Sequence, residues 1–138
     1  MQHNAIGFKE LLVWKQAMTL AKDCYLLTRG FPKEELFGLT SQIRRCAASI
    51  PANIAEGSGR GTSKDFANFL RIASGSLREL ETHLLLAISV ELSTPNQIQP
   101  LLQQVDSVSK LLARLIKSQE TGSSGIPPAT YRPTDLKT

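Results

Sequence analysis

Residues 39–84 read LTSQIRRCAASIPANIAEGSGRGTSKDFANFLRIASGSLRELETHL, and this stretch decides the fold of the chain. At about 100° per residue, a helix over its first part aligns apolar residues along one face. That face consists of Leu39, Ile43, Cys46, Ile50, Ile54 and Gly57. Beside it runs a second set, the polar row, formed by Gln42, Arg45, Ser49, Asn53, Glu56 and Arg60. Because the polar row borders the core face, solvation alone does not explain it, and we expect it to form a structural network together with Glu79 and Glu81.

The composition favours a single all-α domain. The chain has 138 residues with 41% hydrophobic content, which is enough for one core and does not suggest two. Aromatic residues make up only 6%, and β-branched residues form no alternating runs. The net charge of +4 allows an anionic partner, but an excess this small is common in ordinary proteins.

The cysteines and the apolar runs bear on the expected compartment. Cys24 and Cys46 both fall on or beside apolar helix faces, which predicts reduced, buried thiols. The longest apolar run, Leu84 to Ile88, is far too short to span a bilayer, and no basic and apolar leader opens the sequence. We therefore expect a cytoplasmic protein without a membrane partner.

Two helices are predicted in the first half of the chain. The first should run from about Gly7 to Thr28, with an apolar face made of Leu11, Trp14, Met18, Ala21 and Tyr25 and widened by Leu20, Cys24 and Leu27. Pro32 should start the second, which ends at the glycines that follow Glu56. Pro51 lies inside this helix, on its outer side. It should kink the helix there, because proline lacks the N–H that the carbonyl of Ala47 needs as a hydrogen-bond donor.

Two more helices are predicted in the second half. The pair Thr62 and Asp65 resembles a capping box that starts a third helix, about Ser63 to Leu92. Thr94, Pro95 and Gln97 give the same kind of signal for a fourth helix, which ends near Glu120. The prediction is an antiparallel up-down-up-down four-helix bundle over residues 1–120, followed by a disordered tail over residues 121–138.

The residues offer little for catalysis or cofactor binding. A carboxylate-bridged di-iron bundle needs Glu-x-x-His pairs, and no glutamate lies three residues before His83. Glu79 and His83 are four residues apart, but one such pair lacks the three or four ligands of a stable metal site. The glycines of GSGRG lack the ending of a phosphate loop, and Cys46 has no base nearby in sequence. We expect no catalytic residues, no metal and no cofactor.

Three runs carry a resemblance to a known family: FKELLVWKQA, FPKEELFGLTSQIRRCAASIPANIAEGSGR and FLRIASGSLRELETHL. They resemble the four-helix-bundle proteins encoded by intervening sequences within bacterial large-subunit (23S) ribosomal RNA genes. The resemblance covers about residues 8–117 and implies a ring-shaped homopentamer without known catalytic activity. A related branch, the accessory proteins of diversity-generating retroelements, implies nucleic-acid binding beside a reverse transcriptase. The positions carried over are Gln42, Arg45, Ser49, Pro51, Asn53, Glu56, Gly57, Arg60, Ser74, Gly75, Ser76, Glu79, Glu81 and Thr82, and none is catalytic.

Three functions remain open at this point. Basic residues recur along helix one as Lys15, Lys22 and Arg29, and along helix four as Lys110, Arg114 and Lys117, which suits an oligomeric RNA- or DNA-binding or accessory module. Such rows are equally typical of a solvated face, so a structural or protein-interaction scaffold is the alternative. An enzyme has no supporting constellation. Alanines on the outer side of helix two, at positions 48, 52 and 55, favour a homo-oligomer in either case.

One ion pair is predicted in detail. Arg45 and Glu81 both flank apolar faces, where a partly shielded charge should be paired. We expect them to pair within one bundle or across a subunit contact, with Gln42, Asn53 and Glu56 completing the network. Arg44 should point outward.

Overall fold

The computed structural model of the chain describes residues 7–121, which fold into four α-helices. Their bounds are Leu12–Thr28 for α1, Leu39–Ser58 for α2, Ser63–Ser89 for α3 and Pro95–Thr121 for α4. Short 3-10 turns, Phe8–Glu10 and Lys33–Glu35, precede α1 and α2. Each helix packs against the next one in sequence, and α4 returns to α1. This confirms the predicted up-down-up-down bundle. Of the tail predicted over residues 121–138, Thr121 is the last residue of α4, and the rest lies outside the described residues.

The core forms where the apolar faces of all four helices meet. The predicted face of α2 is buried as expected, including Ile43, Cys46, Ile50 and Ile54. They pack with fully buried leucines of α3 and α4, such as Leu77. Fully burying one such side chain stabilises the fold by about 1.5–3 kcal/mol.

The buried face of α1 agrees with the predicted one only in part. Leu11, Leu20, Ala21 and Cys24 are buried as predicted and are joined by Val13 and Ala17, whereas Met18 and Tyr25 of the predicted face are 45% and 41% exposed. The reason is that α1 packs against both α2 and α4, so its buried arc points between the two helices. Met18 and Tyr25 are left at the edge nearest α2.

The start of α2 also differs from the prediction. Pro32 is followed only by the 3-10 turn Lys33–Glu35, and α2 begins at Leu39. A glutamate side chain explains the later start, because Glu35 Oε1 accepts a hydrogen bond of 3.1 Å from the backbone N–H of Leu39. A carboxylate at this position satisfies an otherwise unpaired donor and interacts favourably with the helix dipole. The first helix is likewise shorter than predicted, since α1 begins at Leu12.

The starts of α3 and α4 agree with the sequence signals. Thr62 Oγ1 accepts from the Asp65 backbone N–H at 3.1 Å, which is a side-chain cap. Thr94 and Gln97 form a reciprocal capping box, with side chain to backbone distances of 2.9 and 3.2 Å. The predicted box at Thr94 is confirmed, and at Thr62 the hydrogen bond from the Asp65 backbone N–H to the threonine side chain is confirmed. The end of α3 comes at Ser89, three residues before the predicted Leu92.

Pro51 occupies an unexpected place in α2, whereas Gly57 lies on the buried face as predicted. The helix runs as one element through Pro51, whose ring is buried and not on the outer side as predicted. Gly57 lies within the last turn of α2 and is also buried. A Cβ atom at position 57 would lie 2.6 Å from Cβ of Phe69 in α3, so glycine permits the close approach of the two helices. The predicted kink at Pro51 stays a prediction.

Candidate functional site

The polar row of α2 lies against α3 and forms a line of polar contacts along the edge of the core. At one end, Arg45 donates hydrogen bonds to Gln42 Oε1 at 2.8 Å and to Glu79 Oε2 at 2.5 Å. The Arg45 and Glu79 side chains are 57% and 43% exposed, so this ion pair is well solvated. The Arg45 guanidinium holds the pKa of the Glu79 carboxyl below its ordinary value.

Further along the row, two serines join the helices. The hydroxyls of Ser49 in α2 and Ser76 in α3 are 2.9 Å apart and share a hydrogen bond. Asn53 donates to Ser49 through its side-chain amide, at 2.8 Å to the backbone carbonyl and 3.0 Å to the hydroxyl. The polar atoms next to the core therefore satisfy one another instead of facing an open cavity.

The far end of the row is an exposed cluster. Arg60 pairs with Glu56 at 3.0 Å, one helical turn before it, and its guanidinium lies 4.8 Å above the ring of Phe69. This contact ties the end of α2 to α3 without a buried charge. All six members of the polar row thus lie at the α2–α3 boundary or at its solvent edge.

The expected pairing of Arg45 with Glu81 within one bundle is wrong. Glu81 pairs with Arg78 at 2.5 Å, and Arg78 in turn donates to Ser109 of α4 at 2.7 Å. Residues two apart on a helix differ by about 200° in direction, so only one of Glu79 and Glu81 can face α2. Pairing of Arg45 with Glu81 across a subunit contact stays a prediction.

Arg44 has a role that the sequence did not indicate. Its Nε donates to the hydroxyl of Thr28 at 2.8 Å, and its guanidinium lies 4.8 Å from the centroid of the Tyr25 ring. Arg44 therefore connects the first half of α2 to the end of α1 instead of pointing outward. No local motif signals this contact, because it depends on how the two helices pack.

A second group of polar side chains crosses the α2–α3 boundary beside Arg45. One ligand atom each of Cys46, Glu79 and His83 lie within 4.8 Å of one another. Both ring nitrogens of His83 are buried and have no hydrogen-bond partner among the described residues. The sequence supplied only the Glu79 and His83 pair; the fold adds Cys46 as a third possible ligand.

The environment of Cys46 is the opposite of that of an activated nucleophile. Burial and the Glu79 carboxylate raise the pKa of the Cys46 thiol to about 11, so it is protonated at neutral pH. Catalytic thiols instead have a lowered pKa and partial exposure. Burial, with Asp23 nearby, likewise raises the pKa of Cys24 to about 12.

The six basic residues predicted as a nucleic-acid surface are all exposed. They lie on the outer sides of α1 and α4, which are neighbours in the bundle. On α4, Lys110 pairs with Asp106 at 3.1 Å, with both side chains about two-thirds exposed. On α1, Lys22 lines an apolar groove, and Lys15 and Arg29 lie seven residues before and after it, about two helical turns away.

That groove lies between α1 and α2 and has a volume of about 420 Å³. Its walls are Trp14, Met18, Ala21, Lys22 and Tyr25 from α1 and Ala48, Pro51, Ala52 and Ala55 from α2. The outer alanines that the sequence singled out are thus part of the groove. The 10-residue connection between α1 and α2 contains Phe37, which is 91% exposed and is not one of the groove-lining residues.

Helices that could cross a bilayer are not found in residues 7–121, since none has the required length together with the required apolar character.

These features define an all-α bundle with a polar boundary between two helices, an apolar groove and no assembled catalytic group among the described residues. The sequence model of the 23S rRNA-intervening sequence protein family matches residues 9–114, and the chain belongs to this family. Among curated proteins, none matches the chain significantly.

A solved structure supports the same assignment. The chain is similar to a protein of unknown function from the S23 ribosomal protein family of Bacteroides thetaiotaomicron, whose crystal structure was determined at 1.70 Å resolution. The two share 30% sequence identity and superpose with a TM-score of 0.69. The match covers 76% of this chain and 98% of that one.

Proposed function

We propose that this protein is a non-enzymatic, homo-oligomeric module of the cytoplasm that binds RNA or DNA. The observation that carries the proposal is the position of Lys22, which belongs to the exposed α1 basic row and also lines the apolar α1–α2 groove. One helix therefore offers a surface suited to self-association and a cationic row suited to phosphate, side by side.

The groove supports the assembly part of the proposal. Exposed Met18 and Tyr25 present apolar surface there, while Ala48 and Ala52 leave room for another helix to approach closely. A contiguous apolar concavity on a small bundle is typical of an interaction surface. The family resemblance implies five subunits, and a closed ring would use the same two surfaces on every copy.

The basic rows support the nucleic-acid part. Lys15, Lys22 and Arg29 are exposed, and the one carboxylate on α1, Asp23, accepts a hydrogen bond from Gln104 of α4 at 2.9 Å. Phosphate contacts from such a row give affinity that does not depend on sequence. Assembly repeats the row on each copy, and several weak contacts to one strand then act together.

The proposal is tested by measuring binding to single- and double-stranded RNA and DNA as a function of salt. Replacing Lys15, Lys22 and Arg29 together with Gln should weaken binding and reduce the slope of log K against log salt by roughly 1 per lost phosphate contact. A matched control replaces Lys9, Lys33 and Lys64, which are exposed but lie outside both rows. Equal losses in the two triple variants, or no salt-dependent binding in the parent, would contradict the proposal.

A scaffold that never touches nucleic acid is the second candidate, and the exposed Phe37 favours it. A nearly fully exposed aromatic side chain on a connecting loop suits a protein contact better than a phosphate contact. In that case Phe37→Ser should abolish partner or subunit association, while the basic-row variant changes nothing. A reverse transcriptase is one partner to test, and inspection of neighbouring genes shows whether one is encoded nearby.

A further inference from the structure

The boundary between α2 and α3 contains a buried imidazole with no assigned role. Both ring nitrogens of His83 are shielded from water, and neither has a hydrogen-bond partner among the described residues. Buried polar atoms are nearly always paired, because an unpaired one costs about 1–3 kcal/mol. The polar groups nearest to this imidazole include the Glu79 carboxylate, whose Oε2 is 3.6 Å from His83 Nε2.

The third member of the group comes from the other helix. Cys46 of α2 is fully buried, and its Sγ lies within 4.8 Å of ligand atoms of both Glu79 and His83. Glu79 and His83 are one turn apart on α3, so the same face presents both to the thiol. Two neighbouring helices thus bring together a thiol, a carboxylate and an imidazole.

We propose that Cys46, Glu79 and His83 form a binding site for a divalent metal ion of the zinc class, which links α2 to α3. A thiolate, an imidazole and a carboxylate are the three ligand types that zinc uses in proteins. With zinc–ligand distances of about 2.0–2.3 Å, tetrahedral ligands lie roughly 3.3–3.8 Å apart. The present separations, all within 4.8 Å, need to close by at most about 1–1.5 Å, and water takes the fourth position.

The Arg45 guanidinium lies against two of the atoms that would bind the cation. Its Nη2 donates to Glu79 Oε2 at 2.5 Å and lies 3.6 Å from Cys46 Sγ. The Arg45 side chain is 57% exposed, so it can move into solvent when a cation arrives. Binding converts the Cys46 thiol into a thiolate bound to the metal and releases its proton to solvent, and no oxidant or reductant takes part.

Cobalt(II) is the probe for this site, because a thiolate ligand gives it a charge-transfer absorption band in the near ultraviolet. The full chain, reduced and freed of metal with a chelator, is titrated with Co²⁺. The expected result is one equivalent per chain with a thiolate band, which Zn²⁺ then abolishes by displacement. Zinc should also raise the thermal midpoint, since an ion that binds only the folded state stabilises it. Binding without a thiolate band, or no binding at millimolar Co²⁺, would overturn the proposal.

Matched variants assign the ligands. Cys46→Ser and His83→Gln should each weaken binding at least about tenfold, since even the residues that only orient a ligand change affinity by about that factor. Cys24→Ser and Glu81→Gln are the controls, because they remove the other buried thiol and a neighbouring carboxylate, and both should keep the band. If Cys46→Ser does not fold, the Co²⁺ affinity of His83→Gln tests the proposal.

Arg45→Gln should change the affinity for Co²⁺ in the opposite direction. It removes the competing cation from an exposed position, so we expect it to bind Co²⁺ more tightly than the parent. Weaker binding by this variant, or equal affinity of the parent and His83→Gln, would show that the three side chains do not form the site.

Discussion

Glu91 has a backbone conformation that suits glycine better than glutamate. Its φ of 63° lies in the left-handed region, and it is the residue at which the chain leaves α3. The N–H groups of Glu91 and Leu92 bond to the carbonyls of Ile88 and Ala87 at 3.0 and 2.9 Å, which is the Schellman pattern. This turn ends α3 at Ser89. The residue types do not predict it, because position 91 lacks the glycine that usually signals such a turn.

Glu91→Gly should therefore stabilise the protein. The left-handed conformation costs a non-glycine residue roughly 1–2 kcal/mol, and part of that gain is lost to the greater freedom of glycine in the unfolded chain. We expect a net gain of about 0.5–1 kcal/mol in the free energy of unfolding, measured with urea. Glu91→Ala is the control, since it removes the carboxylate but keeps the Cβ atom; an equal gain there would assign the effect to charge.

The Arg45–Glu79 ion pair should contribute little to stability. Both side chains are about half exposed, and exposed ion pairs are weakened by solvent and by side-chain entropy. A double-mutant cycle with Arg45→Ala and Glu79→Ala should show a small coupling, removed by high salt. The cycle of Arg45→Ala with Glu81→Ala should be strictly additive. A large Arg45–Glu81 coupling would instead indicate pairing between subunits.

Residue periodicity predicted which residues border the core but not which side chains meet. The polar row was recognised because its spacing follows one helix. Pairing Arg45 with Glu79 instead of Glu81 requires the rotation of α3 relative to α2, which no pattern within one helix contains. The same holds for the approach of Cys46 to His83 and for the contact between Arg44 and Thr28.

At the scale of helices, α2 and α3 approach each other closely at Gly57. Gly57→Ala would place a Cβ 2.6 Å from Phe69 Cβ and 3.1 Å from Phe66 Cδ1. Alanine has a higher helix propensity than glycine, which favours the variant. Overpacking of a rigid contact, however, typically costs about 1–3 kcal/mol, and this cost should be the larger effect. We expect a net loss of stability, measured by thermal or urea unfolding.

Gly75 in α3 provides the matched control for Gly57. No atom lies within 4 Å of a Cβ built at position 75, and the residue is exposed inside a regular helix. Gly75→Ala should therefore stabilise the monomer by about 0.5–1 kcal/mol. A loss of stability or of assembly would show that this face of α3 is covered in the oligomer.

Helix starts were more predictable than the buried face of α1. The caps at Thr62 and Thr94 are local, so a few neighbouring residues determine them. The cap of α2 escaped detection because Glu35 reaches Leu39 across a turn that no standard motif describes. The α1 face was misjudged because Met18 and Tyr25 are apolar without being core residues, and the sequence cannot distinguish a core from an exposed groove.

At the scale of the molecule, the groove makes a direct prediction about assembly. Ala52→Arg places a long charged side chain in the groove at an exposed position, where it should block another copy without disturbing the bundle. Light scattering should then return the 15.1 kDa chain, whereas the parent gives a multiple of it. Ala113→Arg on the exposed side of α4 is the control and should leave the mass of the parent unchanged. A parent of 15.1 kDa at micromolar concentration would contradict self-association.

The short connections of the bundle have a kinetic consequence. Residues 59–62 join α2 to α3 and residues 90–94 join α3 to α4, so most native contacts form between segments that are close along the chain. Low contact order favours fast folding, and a nucleus of α2 and α3 has little loop entropy to overcome. The α1–α4 contact, where Gln104 donates to Asp23 at 2.9 Å, joins the most distant segments and should form last. In stopped-flow experiments, Gly57→Ala should mainly slow refolding, whereas Gln104→Ala should mainly accelerate unfolding.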